Sequence, residues 1–132
     1  MSRSTVPQPH PSRMIDFDGH PAVVGVVPGQ PELVALTAAA WARASSGVRL
    51  YFAFVDSARH VVEEFPDGTV RHAEMDPDAA DDSWIVRQEH METFLHDVVD
   101  PTGVPWLFRY LAGRPDRALT HLARAVNASA IV

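Results

Sequence analysis

The sequence contains no cysteine. Disulfides, thiol catalysis and cysteine-ligated zinc or iron–sulfur centres are therefore excluded. It contains no lysine either: all eleven basic residues are arginines. A P-loop lysine, Schiff-base chemistry and the lysine of a phospho-acceptor receiver are thereby excluded. Positive charge is scarce, with a formal net charge of −6. No nucleic-acid partner is expected, because phosphate contacts need a basic surface. No apolar run approaches the roughly 18 residues of a membrane span, so no membrane association is expected. The opening Met1–Arg13 stretch has no apolar core of a secretory signal, which makes the cytoplasm the expected location. The Asn127-Ala128-Ser129 sequon then has no route to glycosylation.

What remains is a chain of 132 residues, 46% apolar and 21% charged. That is one globular domain of ordinary size. Residues 1–21 read as a disordered, Pro-rich tail, punctuated by Pro7, Pro9, Pro11 and Pro21. Their composition cannot bury enough apolar surface to fold. Residues 22–132 read as the folded domain.

Ala22–Val27 is a short apolar run without alternation, as in a buried parallel strand. Pro28-Gly29-Gln30 is a turn, and Pro31 suits the start of a helix. That helix runs to about Ser46 through Leu33, Leu36, Ala40 and Trp41, with Gly47 at the expected left-handed cap. Val48–Val55 is apolar on both faces and so reads as a central strand. Val61–Phe65 and Thr69–His72 flank Pro66-Asp67-Gly68, a strong hairpin signal. A second helix spans about Ser83–Val99, with Ile85, Gln88, Met91, Phe94 or Leu95, and Val98 or Val99 on one stripe. Val104–Leu111 is a third main strand. Pro105 and Arg109 place it at a sheet edge. Asp116–Val126 is a third helix, carrying Leu119, Leu122, Ala123 and Val126, and Ala128–Val132 is a fourth strand. Buried strands alternating with helices predict an α/β fold with a parallel sheet.

Val23-Val-Gly-Val-Val-Pro-Gly-Gln-Pro-Glu32, the Ala-rich helix to Arg43, Gly47 and the strand Leu50–Val55 resemble the opening half of a universal stress protein. Gly113-Arg-Pro-Asp-Arg-Ala-Leu119, Leu122-Ala123 and Ala128–Val132 resemble that family's third helix and fourth strand. The resemblance covers about half of the chain. It implies a flavodoxin-like sheet, of the adenine-nucleotide alpha hydrolase type, in the order 3-2-1-4-5. Here the order is 3-2-1-4, with the usual fifth strand missing and a hairpin inserted.

In such a sheet the ligand sits at the carboxyl ends of strands 1 and 4, where the winding reverses. The resemblance implies a nucleotide site at Val27, Pro28, Gly29 and Gln30, with Val55 as a second contact from the end of strand 2. ATP or AMP is the possible ligand, and no cofactor is certain. The family's Asp after strand 1 is replaced by Val27, so its polar contact is lost. The family's phosphate loop, G-x2-G-x9-G-[ST], should follow Val132. Without its backbone N–H groups only the nucleoside half of a site remains. The expectation is a non-enzymatic stress or regulatory module, acting through self-association or an unidentified protein partner, with at most weak adenine-nucleotide binding. The alternative is an ATP- or AMP-binding member whose phosphate loop lies beyond residue 132. An open edge on the fourth strand predicts a homodimer or marginal stability. Absent lysine and abundant Ala and Pro fit a GC-rich bacterial genome.

Other constellations are weaker. Seven histidines (His10, His20, His60, His72, His90, His96 and His121) include no pair at the H-E-x-x-H spacing. They read as scattered surface residues, with no metal expected. Asp76, Asp78, Asp81 and Asp82 lack the frame of a calcium loop and read as a solvated loop capping the next helix. Glu63 and Glu64 are adjacent strand residues that point to opposite faces and cannot share one site. Trp41, Trp84 and Trp106 read as packing residues, with Trp84 against Met91. No G-x-S-x-G elbow is present, and no catalytic residue is expected. Val27-Pro-Gly-Gln30 matches neither an adenylating signature nor the Ser/Thr-rich first loop of an FMN carrier.

Overall fold

The computed structural model describes residues 20–45, 48–75 and 83–132. Gly47, His10 and the Asp76, Asp78, Asp81 and Asp82 loop lie outside the described residues. The elements are β1 (Ala22–Gly25), α1 (Glu32–Ala44), β2 (Leu50–Asp56), β3 (Arg59–Glu64), β4 (Val70–Glu74), α2 (Ser83–Val99), β5 (Trp106–Ala112), α3 (Pro115–Ala125) and β6 (Ala130–Ile131). β1, β2, β5 and β6 form a parallel sheet in the order β5-β2-β1-β6. Counted along that sheet's own strands, this is the expected 3-2-1-4 order. β3 and β4 form the expected antiparallel hairpin.

The alternation in β2 decides which side chains reach which layer. Leu50 and Phe52 enter a core built with α1 and α2. Tyr51 and Ala53 enter a second core under α3. Phe52 and Leu50 are fully buried, and burying side chains of this size stabilises by roughly 1.5–3 kcal/mol each. β5 ends the sheet, as Pro105 and Arg109 implied. Leu50 still bonds across to it, donating its N–H to the Pro105 carbonyl at 3.0 Å. β6 continues the ladder past Ile131, since Val132 donates to the Val23 carbonyl at 2.8 Å.

α1 departs from the sequence reading. Its buried face is Ala35, Ala38, Ala39 and Ala42, an i, i+3, i+4, i+7 stripe of the smallest side chains. Leu33 is 71% exposed and Leu36 39% exposed. The physical reason is spacing: an alanine face brings the helix backbone close to the sheet, and the leucines are left on the far side. In α2, Met91, Leu95, Val98 and Val99 are buried, while Ile85 and Val86 are exposed. The core stripe therefore belongs to the second half of that helix. α2 ends in a 3-10 turn, Asp100–Thr102, closed by Gly103 at φ 76°.

The hairpin ties three elements together. Its turn is fixed by the Asp67 carboxylate, which accepts from the Thr69 N–H at 3.0 Å and the Thr69 hydroxyl at 2.6 Å. Gly68 stands at φ 89°, and a Cβ there would lie 2.5 Å from Leu122 Cδ1 of α3. The turn thus needs glycine twice, for conformation and for space. Both hairpin strands contact β5, and Arg109 of β5 donates to the Asp67 carbonyl at 3.4 Å. The hairpin lies against the strand that ends the sheet, a common way of restricting an edge. At the domain's start, the Pro21 carbonyl accepts from the Ser129 N–H at 2.8 Å, and His20 pairs with Asn127. Among the described residues no helix is long and apolar enough to cross a membrane.

Candidate functional site

β1 runs out at Gly25, and Val26 and Val27 carry the chain over the carboxyl end of the sheet. Gly29 turns it back at φ 75°. Gln30 folds onto this turn: its Oε1 accepts from the Val27 N–H at 3.3 Å, and its own N–H donates to the Val27 carbonyl at 3.3 Å. Pro31 then fills the position before α1 with no side-chain cap.

This turn forms one wall of a cavity of about 560 Å³, with Val27, Pro28, Gly29 and Gln30 on its lip. The opposite wall is α2, through Val86, Met91, Phe94 and Leu95. Sequence reasoning located the turn but not the helix facing it. Val55 is not part of the cavity: it packs with Val23, Tyr51 and Leu122 under α3. The strand alternation explains this, since Val55 shares parity with Tyr51 and Ala53. The expected second contact from the end of β2 is therefore on the wrong face for this pocket.

β2 instead contributes Asp56, one residue later. It is 7% exposed. Its Oδ1 accepts from the Ala58 N–H at 3.0 Å. Its Oδ2 accepts from the Tyr110 hydroxyl at 2.7 Å and from the Arg87 guanidinium at 3.2 Å. Arg87 also donates to the Tyr110 oxygen at 3.0 Å, and it lines the cavity. Burial, then the bond to Asp56, pushes the Tyr110 hydroxyl up to about 12. The cavity's cation is thus already bound to a carboxylate and a phenol.

Behind this triad lies a second polar group. Arg59 is 6% exposed. It bridges the hairpin by pairing with Glu74 and donating to His72 Nδ1 at 2.6 Å. Its guanidinium lies 5.3 Å from the centre of the Trp84 ring, and His72 meets that ring edge-on at 4.6 Å. Accepting at Nδ1 leaves the neutral His72 ring protonated at Nε2. Burial first, and the Arg59 charge second, hold His72 below its ordinary pKa. Trp84 is a packing residue, as expected, with His72 and Tyr110 as its ring partners. His72 itself is not a surface histidine, and neither is His121, whose Nδ1 meets Glu64 at 2.5 Å. Glu63 pairs instead with Arg71 at 3.5 Å, so the two glutamates do serve different elements.

Asp56, Arg59, Arg87 and Tyr110 escaped sequence reasoning. The signal present was Asp56, a carboxylate closing a two-sided apolar strand at its carboxyl end, where open α/β sheets hold their ligands. A second cleft, of about 410 Å³, lies near the start of β5. There Asp100 accepts from Trp106 Nε1 at 2.7 Å and pairs with His96 at 2.7 Å. Among the described residues no group of three or more His, Cys, Asp or Glu is placed to hold a metal ion.

The architecture matches the solved structure of a universal stress protein from Archaeoglobus fulgidus, with a TM-score of 0.60, over 86% of this chain and 74% of that one. The fold is that of a universal stress protein. The two sequences are 21% identical over the match. No family model matches the sequence, and no curated protein sequence does. Within this universal stress fold, the cavity sits beside the β1–α1 turn at the carboxyl end of the sheet. Val27, where the family resemblance implied an Asp, is 56% exposed on its lip.

Proposed function

We propose that this chain is a universal-stress-like regulatory module that works by binding rather than by catalysis. The observation that supports the reading most is the cavity of about 560 Å³ at the carboxyl end of β1, in a sheet of universal stress topology. Its size suits a small-molecule site, and its place is where such sheets bind ligands. Its lining is mainly aliphatic and aromatic, which suits retention of a ligand rather than bond making.

Adenine nucleotide is at most a weak occupant. Val27 supplies no carboxylate, and residues 1–132 contain no G-x2-G-x9-G-[ST] loop to cradle phosphates. The output is association, with a second copy to form a homodimer or with a protein partner, in the cytoplasm. Exposed Ile131, 47%, and Val132, 69%, along β6 favour such contact.

Calorimetric titration with ATP–Mg²⁺ beside adenosine tests the ligand part. Adenosine should bind at least as tightly as ATP, and micromolar ATP binding with much weaker adenosine overturns the reading. Sedimentation across protein concentrations tests self-association, with a concentration-dependent monomer–dimer equilibrium expected.

A further inference from the structure

We propose that the cavity between the β1–α1 turn and α2 selects an uncharged, largely apolar small molecule and rejects anions. The inference rests on the ligand-site reading above and names its ligand class.

Charge in the cavity carries the argument. Recognition of a phosphate or carboxylate needs a cation or a set of N–H groups directed at it. The cavity's guanidinium, Arg87, already donates to the Asp56 carboxylate and to the Tyr110 oxygen. An anionic ligand would have to compete with a carboxylate that is 7% exposed and bonded three ways. Losing Arg87 to a ligand would strip that buried carboxylate of its cation and leave it only the Tyr110 hydroxyl and the Ala58 N–H, which is costly.

The turn offers few replacements, since its Val27 and Gln30 N–H groups are bonded within it. Pro28 has no N–H, and the Val27 N–H is taken by Gln30 Oε1. What the cavity does offer is apolar surface, from Val26, Val86, Met91, Phe94 and Leu95, with the Gln30 amide and the His90 ring near its mouth. Walls of that kind reward burial of an aromatic or aliphatic body. A neutral polar group or two on that body would be oriented by the amide and the imidazole. An ionised group carried against those apolar walls pays a desolvation cost, and the cavity's guanidinium is already committed to Asp56 and Tyr110.

Two fluorescent probes with the same aromatic body separate the classes. N-phenyl-1-naphthylamine is neutral, and 8-anilinonaphthalene-1-sulfonate adds one negative charge. Each is titrated into the full chain, with ATP–Mg²⁺ and adenosine as competitors. The neutral probe should bind saturably at one per chain, at least about tenfold tighter than the sulfonate. Val86→Arg and, independently, Val27→Arg should weaken it about tenfold or more. Both positions are exposed at the lip, so circular dichroism should be unchanged.

Equal or tighter binding of the sulfonate overturns the ligand class and leaves the site standing. The same holds if ATP–Mg²⁺ binds where the neutral probe does not. Probe binding that does not saturate at one per chain, or that ignores both arginine variants, overturns the proposal as non-specific surface adsorption. If neither probe nor either adenine ligand binds, the ligand-site reading falls with it.

Discussion

Asp56 closes the central strand, and the Tyr110 hydroxyl and Arg87 guanidinium both meet one of its oxygens. Asp56→Ala leaves both donors facing an empty, largely buried site. Bonds to a charged group contribute about 1.5–3 kcal/mol, and the exposed side of Arg87 is screened by solvent. A loss of about 2 kcal/mol in urea-denaturation free energy is expected. Tyr110→Phe keeps the ion pair and should cost only about 1 kcal/mol. That variant should also remove from the ultraviolet spectrum a phenol titration centred at about 12. Gly68 is the other sensitive residue. Its φ of 89° and the 2.5 Å approach of Leu122 Cδ1 act together. Gly68→Ala should lower stability by about 1–3 kcal/mol, read as a fall in melting temperature.

At the scale of elements, α1 shows how far side-chain size governs packing. Its alanine face puts no long side chain between helix and sheet. Ala39→Leu adds volume at a fully buried position, and overpacking of this kind costs about 1–3 kcal/mol. Leu33→Ala, on the 71% exposed side, should stay within about 0.5 kcal/mol of the parent. Thermal melts of the two variants check the assignment of faces directly, and a reversed ranking would refute it. The hairpin combines an apolar contact, Val70 against the core under α3, with polar ones. Arg59, His72 and Glu74 join its two strands to each other and to Trp84 of α2.

For the whole molecule, that hairpin makes stability depend on pH. His72 is held below the ordinary histidine value of 6.5 when folded. The unfolded chain therefore binds more protons in the window between the folded value and 6.5. Stability from this group is complete above 6.5 and is lost as the pH falls through that window. Denaturation free energy should be lower at pH 5.5 than at pH 7.5, and His72→Gln should flatten that slope. A slope unchanged in the variant would remove His72 from the account.

Element order, the two-sided burial of β2, the edge position of β5 and the Pro66–Gly68 turn were all legible in the residues. Each rests on local periodicity or local backbone chemistry, which a sequence states outright. The Pro28–Gln30 turn was legible for the same reason, whereas a ligand site at Val27 to Gln30 was implied by the family resemblance and not by local chemistry. Tertiary structure alone decided which face of α1 turns inward, that Val55 points to α3, and that α2 supplies the far wall of the cavity. It alone brought Arg87 to Asp56 across 31 residues and Tyr110 to Asp56 across 54. A buried charge finds its partner wherever the packed layers bring one within reach, and nothing in its neighbours along the chain encodes that distance.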